Sequence, residues 1–306
     1  MLNSRLKQTE TTLPLKKSGK AEKSIVPISE KEFSLFSNYI AQKSGIVIPF
    51  EKSYIFETRL SKYLVDADAG SFEELFNYII GKDDPILNQK IISSITTNET
   101  KWCRDEAPWK VLEEILLPRL VDELMTGKKT KIRIWSAAAS TGQEIYSTVM
   151  CVDNYLRKNN IEDVSLKNFD FFATDISSHV LEIAKKGRYD RISMMRGLDE
   201  QYKTKYFTRN DTVWIINPEI RSIVKFEHFN LLNSYRLFGF FDVIFCRYVL
   251  IYFSNAVNRE IAVKMDKSLL NNGVLFIGNY ALYDLFGDNF NTNCYGNLTY
   301  YTKKTR

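Results

Sequence analysis

The spacing of hydrophobic residues changes near residue 130 from helical periodicity to an alternation of strands and helices. Before that point, apolar residues recur at intervals of three and four, as on one face of an amphipathic helix. The first predicted helix begins at the capping box Ser29-Glu30-Lys31-Glu32 and ends at Gly45. Phe33, Phe36 and Ile40 fall on one face of it. The first patterned part of the chain is therefore predicted to be helical.

Three more helices follow in the same part of the chain. One comes after Pro49, and a second begins at Ser71, with Glu74 in the capping-box position, and ends at Gly81. A further helix begins at Asp84-Pro85, with proline at the first helical position. Together these patterns predict a small all-α domain.

The remaining chain alternates between strand and helix patterns. The predicted elements are a helix over Pro108–Met125, a strand over Lys131–Ala137 with a helix to Arg157, a strand over Phe169–Thr174 with a helix over Ser178–Gly187, a strand over Phe241–Arg247 with a helix over Asn255–Leu270, and strands over Val274–Gly278 and Leu298–Tyr301. Short strands with polar turns interrupt this order at about residues 202–230 and predict an antiparallel β insertion. Alternating βα units predict a mostly parallel, doubly wound sheet with helices on both faces.

These patterns predict an α/β protein with a Rossmann-like, doubly wound sheet and a small antiparallel insertion, preceded by an all-α N-terminal domain. The predicted parts are a disordered basic tail over residues 1–27, the helical domain over 28–95, a linker segment and helix over 96–126, and the ligand-binding α/β domain over 127–306.

Composition narrows the classes of function. The 306 residues are 44% hydrophobic, with 20 Phe and 17 Tyr, which is enough to build a sizeable core. Four widely spaced cysteines and two histidines, with no C-x-x-C pair, do not suggest a metal site. No apolar run approaches the ~20 residues that span a bilayer, and no signal segment is visible. We predict a cytoplasmic protein without a metal; the net charge of +5 only weakly favours an acidic partner.

Polar residues are predicted to meet at the carboxyl ends of three strands. The first strand passes through the small residues Ala137-Ala138-Ala139-Ser140-Thr141-Gly142, where a ligand can lie against bare backbone. Asp175 ends the second strand, and Cys246-Arg247-Tyr248 ends the third. A carboxylate in this place can accept hydrogen bonds from both hydroxyls of a ribose. The turn has neither a dinucleotide fingerprint nor a P-loop, and a plain strand-to-helix turn is the simpler alternative.

Glu144 favours a cationic ligand. It comes directly after the turn, where it would repel a pyrophosphate. S-adenosylmethionine fits this combination, because its sulfonium and ammonium groups are positive and it has no phosphate. The alternative is that Glu144 only interacts with the dipole of its own helix.

Several segments resemble a known family when taken in order. They are FSLFSNYIAQKSGIVIPFEKSYIFETRLSKYL, TTNETKWCRD, WSAAASTGQEIYS, FATDISSHVLEIAKKGRY and FDVIFCRYVLIYF. Over roughly residues 29–285 the chain is similar to CheR-type chemoreceptor glutamate O-methyltransferases. The resemblance implies methyl transfer from S-adenosylmethionine to glutamate side chains of chemoreceptors, giving glutamate methyl ester and S-adenosylhomocysteine.

The resemblance also implies roles for matched residues. The implied cofactor-binding residues are Asn98, Thr100 and Arg104 in the segment that lies over the cofactor, Ala137 at the turn, Gln143 and Glu144 at the methionine part, Asp175 at the ribose, and Asn230 and Leu231 at the adenine. Arg247 and Tyr252 match an Arg and a Tyr near the transferred methyl group, and we include the intervening Tyr248 among the cofactor-binding residues. For catalysis, Tyr252 orients the acceptor, and Arg104 aligns the glutamate or closes the cofactor pocket.

The chain departs from the family pattern at five places. Tyr248 replaces an asparagine, Gln143 an acid and Ile145 a proline, Trp102-Cys103 replace two phenylalanines, and Gly278-Asn279-Tyr280 replace Gly-His-Ser. Because Tyr248 adds bulk near the proposed methyl path, one rival hypothesis is an S-adenosylmethionine-binding adaptor without turnover. A second rival is a nucleic-acid methyltransferase, but its usual Pro-Pro-aromatic tetrapeptide is absent.

The predicted partner is the cytoplasmic helical domain of a chemoreceptor, whose glutamates call for a cationic surface. Lys52, Arg59 and Lys62 lie in the second predicted helix, and the latter two are three residues apart. We predict that they form the docking surface, and that the protein is a monomer that neither binds nucleic acid nor inserts into membranes. The insertion around Asn210–Asn217 is the next candidate, but the short turn Thr208–Asp211 has no glycine, so we do not expect it to hold a receptor's C-terminal peptide.

Overall fold

The computed structural model describes residues 26–278, 285 and 287–305. Residues 1–25 of the predicted tail and Asn279-Tyr280 lie outside the described residues. Across the described ranges, no helix has the length and apolar character needed to cross a membrane.

A helical part is followed by an α/β part, as predicted. The helices are α1 (Glu30–Ser44), α2 (Tyr54–Asp66), α3 (Phe72–Lys82), α4 (Pro85–Ile95), α5 (Glu106–Val111), α6 (Leu117–Met125), α7 (Gln143–Lys158), α8 (Ser178–Lys186), α9 (Arg191–Met194), α10 (Glu200–Tyr206), α11 (Pro218–Arg221) and α12 (Asn255–Ser268). The strands are β1 (Ile132–Ala137), β2 (Phe169–Asp175), β3 (Arg188–Asp190), β4 (Phe207–Asn210), β5 (Val213–Ile216), β6 (Val224–His228), β7 (Phe241–Phe245), β8 (Leu269–Phe276), β9 (Phe290–Tyr295) and β10 (Leu298–Lys303).

Helices α1 to α4 pack around their own apolar core. The predicted capping box forms: Ser29 Oγ accepts the Glu32 N–H at 3.3 Å, and the Glu32 carboxylate accepts the Ser29 N–H at 2.9 Å. Gly45 ends α1 at φ +78°, a conformation that favours glycine. Phe36 and Phe72 are fully buried and meet edge to face, with ring centroids 6.1 Å apart.

Two predicted helix ends are wrong by a few residues. Helix α3 runs one residue past Gly81, and Glu74 accepts the N–H of Gly70 instead of completing its capping box. The helix predicted from Pro108 begins at Glu106. It continues into α6 through a π-helical turn next to Pro118, which has no N–H to donate and crowds the preceding turn.

The main sheet has seven strands in the order β6-β2-β1-β7-β8-β10-β9. Strands β6, β2, β1, β7 and β8 are parallel, and β10 is antiparallel to both β8 and β9. Both faces are covered, since neighbouring residues of one strand, such as Ile134 and Trp135, belong to different hydrophobic clusters. In this order β2 lies on one side of β1, and β7 lies on its other side. Ligands of such sheets bind at the carboxyl ends of the strands, where the order reverses.

The predicted insertion over residues 202–230 is wrong at both ends. The three-stranded antiparallel sheet has the order β3-β5-β4, so it begins at Arg188 and ends at Ile216. Strand β6 instead pairs in parallel with β2 and forms an edge of the main sheet. As a half-exposed edge strand, β6 has the same alternating pattern as a strand of a small antiparallel sheet, which explains the error.

Asn272-Gly273, between the predicted helix over Asn255–Leu270 and the predicted strand over Val274–Gly278, lie in a bulge inside β8. The register between β7 and β8 shifts over this stretch, and Asn272 has φ +61°. Strand β8 therefore begins at Leu269, and helix α12 ends at Ser268 rather than at Leu270.

Candidate active site

A cavity of about 380 Å³ opens between the carboxyl ends of β1, β2 and β7 and the N-terminal helices. Part of its wall is the segment Thr96–Asp105, which we call the covering segment. The predicted cofactor and catalytic residues that line the cavity are Asn98, Thr100, Arg104, Glu144, Asp175, Asn230, Leu231, Arg247, Tyr248 and Tyr252. Within the described residues, no group of three His, Cys, Asp or Glu side chains could hold a metal ion.

The turn after β1 is shaped by Asp175. Its Oδ2 accepts the Ser140 N–H at 2.8 Å, and its Oδ1 accepts the Ser177 N–H at 2.9 Å. Ser140 has φ +51° and Gly142 has φ +91°, so the carboxylate holds a turn that most side chains disfavour. Burial raises the pKa of Asp175 above its usual value, against the lowering effect of these two N–H donors. Each carboxylate oxygen keeps a second lone pair for a ligand.

An ion cluster forms the wall at the end of β7. The Arg247 side chain is only 1% exposed and lies between two acids. Its Nη1 is 3.0 Å from Glu144 Oε2, and its Nη2 is 2.7 Å from Asp105 Oδ2. Ser136 donates to the second oxygen of Glu144 at 2.7 Å. Glu144 therefore interacts with Arg247 as well as with its own helix. Among the residues that the structure describes, Arg247 Nε is buried without a hydrogen-bond partner.

Tyr248 is held against the wall of the cavity on three sides. Its hydroxyl donates to Asp105, and the Arg104 guanidinium stacks on its ring, 3.6 Å from the centroid. A Cβ placed on Gly278 would lie 3.4 Å from the same ring. Burial, helped by the hydrogen bond to Asp105, raises the pKa of the Tyr248 phenol. The Tyr248 side chain is thus packed between other groups, and its phenol stays neutral at physiological pH.

The helical domain closes the cavity on the side of Asn230 and Tyr252. The Val47 N–H donates to the Tyr252 carbonyl at 2.8 Å, and the Asn230 amide donates to the Lys43 carbonyl at 2.7 Å. The side-chain oxygen of Asn230 accepts the Leu232 N–H at 2.9 Å. The Asn230 side chain therefore joins the two domains.

Four predicted site residues lie away from the cavity. Ala137 is in the core, and Gln143 is buried with its oxygen accepting the Thr141 hydroxyl at 2.7 Å. Arg59 and Lys62 line a neighbouring groove, whereas Lys52, predicted to share their surface, lines the cavity.

Arg59 is a structural residue. Its Nη1 donates to the carbonyls of Ser94, Ile95 and Thr96 at 3.3, 2.9 and 2.7 Å, at the carboxyl end of α4. A cation is favourable there because helix carbonyls are unpaired at that end. Arg59 is therefore not a free cation, and Lys52 does not share a groove with Arg59 and Lys62. The role of these residues in receptor docking stays a prediction.

Sequence reasoning missed Asp105 and the contribution of the loop after α1. Asp105 precedes α5, so it resembles an ordinary helix-start acid, although it accepts from both Arg247 and Tyr248. A usable signal was its position directly after the Arg104 motif. The loop residues Ile46 and Ile48 line the cavity but carry no polar motif.

The fold and the cavity define a class: an α/β domain that binds a nucleoside-containing ligand at its switch point without a phosphate-binding loop. The chain belongs to the CheR methyltransferase family. Residues 98–290 match the SAM-binding domain of that family, and residues 31–96 match its all-alpha domain. The protein is an S-adenosylmethionine-dependent methyltransferase, and the resemblance drawn from its sequence is confirmed.

Relatives are similar over most of their length. Chemotaxis protein methyltransferase 1 of Pseudomonas aeruginosa is 38% identical over 248 residues, which cover 81% of this chain and 88% of the relative. Chemotaxis protein methyltransferase Cher2 of Pseudomonas putida is 35% identical, with the same coverage. A chemotaxis protein methyltransferase of Listeria monocytogenes is 31% identical over 254 residues, covering 83% of this chain and 91% of the relative.

Proposed function

We propose that the protein methylates glutamate side chains of chemoreceptors in the cytoplasm, giving glutamate methyl ester and S-adenosylhomocysteine. The observation that supports an anionic acceptor is the charge of the cavity wall. Lys52, Lys101 and Arg104 line the cavity, and none of them has a carboxylate partner among the described residues. Of the three acids in the cavity lining, Glu99 and Glu144 are paired with arginines, and Asp175 accepts from backbone N–H groups. An acceptor carboxylate would therefore meet unpaired positive charge.

The residues present suit S-adenosylmethionine. Asp175 lies at the end of β2 with lone pairs available for ribose hydroxyls, and the small-residue turn leaves backbone open beside it. Glu144 lies on the same wall, where it is paired with Arg247. When bound, S-adenosylmethionine supplies a methyl group on a positively charged sulfur.

The side chains of the protein would position and attract the acceptor. A glutamate is already ionised at neutral pH, with a pKa of about 4.3, so no general base is required. Arg104 is suited to align this carboxylate, because its guanidinium is fixed on the Tyr248 ring. Tyr252 lines the same cavity and is our candidate for orienting the acceptor. Correct placement of two reactants is worth up to about 7–11 kcal/mol of barrier.

A groove beside the cavity is our candidate for receptor docking. It is lined by Lys62, Lys90 and His179, and Thr96 and Asn98 belong to both the groove and the cavity. An acidic helical surface lying in this groove would bring a neighbouring glutamate to the cavity. The groove thus takes the place of the docking surface predicted from the sequence.

The adaptor hypothesis is not favoured, since Tyr248 is bound to Asp105 and Arg104 and packed into the wall. The decisive experiment incubates labelled methyl donor with receptor-containing membranes, with DNA and with RNA, using Asp175→Asn as the matched control. We expect label on receptors only, released as methanol by mild base, as for a methyl ester, and little label with the variant. Base-stable label, or label on nucleic acid, would contradict the proposal. Binding without any transfer would support the adaptor.

A further inference from the structure

The covering segment is attached to the three-stranded sheet through Trp102. This side chain is fully buried and meets two rings of that sheet edge to face: Tyr189 at 4.8 Å and Phe207 at 5.3 Å between centroids. Its indole Nε1 has no hydrogen-bond partner in the described part of the chain. The indole is therefore held by apolar packing alone, in a pocket formed by strands β3 and β4.

The backbone of the covering segment contacts the same region. The Trp102 N–H donates to the Arg196 carbonyl at 3.1 Å, and Arg196 also forms an ion pair with Glu99. A Cβ on the next residue, Gly197, would lie only 2.2 Å from the Trp102 carbonyl oxygen. Only glycine allows the two backbones to approach this closely.

The three-stranded sheet also contacts the turn after β1, whose residues Ala138 to Ser140 line the cavity. The Tyr189 hydroxyl donates to the Thr141 carbonyl at 2.8 Å, in the turn after β1. Tyr189 is thus in contact with Trp102 on one side and with the ligand-binding turn on the other. Cys103, the neighbour of Trp102, has φ +42°, so the covering segment has a backbone conformation that needs support from its surroundings.

We infer that the three-stranded sheet is the anchor that holds the covering segment and the β1–α7 turn in their ligand-binding positions, with Trp102 and Tyr189 as its positioning residues. The inference rests on the proposed function, because the ligand is taken to be S-adenosylmethionine or its product. Loosening the anchor lowers the fraction of molecules with a formed cavity, and the apparent affinity falls by that fraction. Neither residue lines the cavity, so neither contacts the ligand.

Three variants test the anchor. Tyr189→Phe removes only the hydrogen bond to Thr141, and we expect S-adenosylhomocysteine to bind about fivefold more weakly, as for one ordinary hydrogen bond. Trp102→Ala removes the packed side chain, and a loss of about tenfold or more is expected because most molecules would then have an open cavity. Trp102→Phe loses no hydrogen bond and should restore most of the affinity.

Tyr206→Phe is the matched control. Tyr206 is buried at the end of α10, and its hydroxyl donates to Asp153 of α7 at 2.7 Å, so the hydrogen bond that Phe would remove involves neither the covering segment nor the β1–α7 turn. Its loss should reduce stability without changing the affinity for S-adenosylhomocysteine. Affinity measured by calorimetry is compared with thermal unfolding for each variant.

Hydrogen exchange of residues 96–105 without ligand gives a second readout. We expect faster exchange in Tyr189→Phe and Trp102→Ala, but not in Tyr206→Phe. Equal exchange in all variants, or equal affinity losses in Tyr189→Phe and Tyr206→Phe, would overturn the anchor. Failure of the wild-type protein to bind S-adenosylhomocysteine would instead overturn the proposed function, while the exchange measurement still decides the anchor.

Discussion

At the scale of single residues, Asp175 has two roles that depend on one carboxylate. It holds the turn after β1 through two backbone N–H groups, and it faces the cavity with its remaining lone pairs. A buried acid that is ionised costs free energy, which is reflected in its raised pKa. Ligand hydroxyls would repay part of that cost, since they donate to the charged form.

We predict that Asp175→Ala weakens binding of S-adenosylmethionine by about 1–3 kcal/mol, the range for lost hydrogen bonds to a charged group. The raised pKa gives the effect a pH dependence. Asp175 takes up a proton at higher pH than an exposed aspartate, so wild-type affinity should fall earlier on acidification. Calorimetry from pH 8 to pH 5 would measure this change. Asp175→Asn, which cannot titrate, should show weak affinity that is independent of pH, and an equal slope in both proteins would contradict the assignment.

Tyr248 gives a second prediction at this scale. Tyr248→Phe keeps the ring under Arg104 but removes the hydrogen bond to Asp105, so kcat/KM for receptor methylation should fall about fivefold. Affinity for S-adenosylhomocysteine should be unchanged, because the substitution leaves the ring and the other cavity-lining residues in place. An inactive wild-type protein that gains activity through Tyr248→Asn would support the adaptor hypothesis instead.

Site residues could be predicted from the sequence when they lie close to the carboxyl end of a strand. Asp175, Glu144 and Arg247 could be found because parallel strands bring their carboxyl ends to one edge. Arg59 could not be assigned correctly, since its partners at the end of α4 are 35 to 37 residues away in the sequence. Asp105 was missed for a similar reason: its partners Arg247 and Tyr248, which follow β7, are 142 and 143 residues away in the sequence.

At the scale of elements, the groove between α2, α4 and α8 leads to the cavity. We predict that Lys62→Glu combined with Lys90→Glu slows receptor methylation by about tenfold at low ionic strength, because steering by surface charge is lost. The defect should shrink at high salt, where such charges are screened. Rates on receptor membranes at two salt concentrations would measure it, and cofactor affinity should stay constant.

Arg59→Ala is the contrasting variant for that experiment. Loss of its hydrogen bonds to three carbonyls should lower the free energy of unfolding by about 1–3 kcal/mol, measured with urea. Lys62 and Lys90 are exposed, so the double variant should unfold like the wild type. A wild-type rate for the double variant at low salt would place docking elsewhere.

Elements with a strong periodic pattern were predicted well, and edge elements were not. The buried strands β1, β2 and β7 begin and end close to the predicted residues, because both of their faces are apolar. The half-exposed β6 was assigned to the wrong sheet. Its pattern describes one apolar face but not the strand that it pairs with.

At the scale of the whole molecule, the class of fold followed from the order of its elements. Helices alone, followed by alternating strands and helices, leave few arrangements. What the order did not indicate was that the helical domain forms one wall of the cavity. That wall depends on the end of α1 and the loop after it. There the Lys43 carbonyl and the Val47 N–H bind the α/β domain, and such backbone groups have no sequence signature.

The interface between the helical domain and the α/β domain has a consequence for recombination among related proteins. The helical domain contributes two backbone groups. The Lys43 carbonyl accepts from the Asn230 amide, and the Val47 N–H donates to the backbone carbonyl of Tyr252. Almost any sequence offers these groups, provided that the loop keeps its length and the glycine at position 45, where a Cβ would lie 3.0 Å from Leu232. A foreign helical domain could therefore keep this part of the junction, and it would also have to match the side-chain hydrogen bond from Gln89 of α4 to Ser178 of α8. Partner choice and methyl-transfer chemistry would then be able to diverge separately, by exchange of whole domains as well as by point mutation.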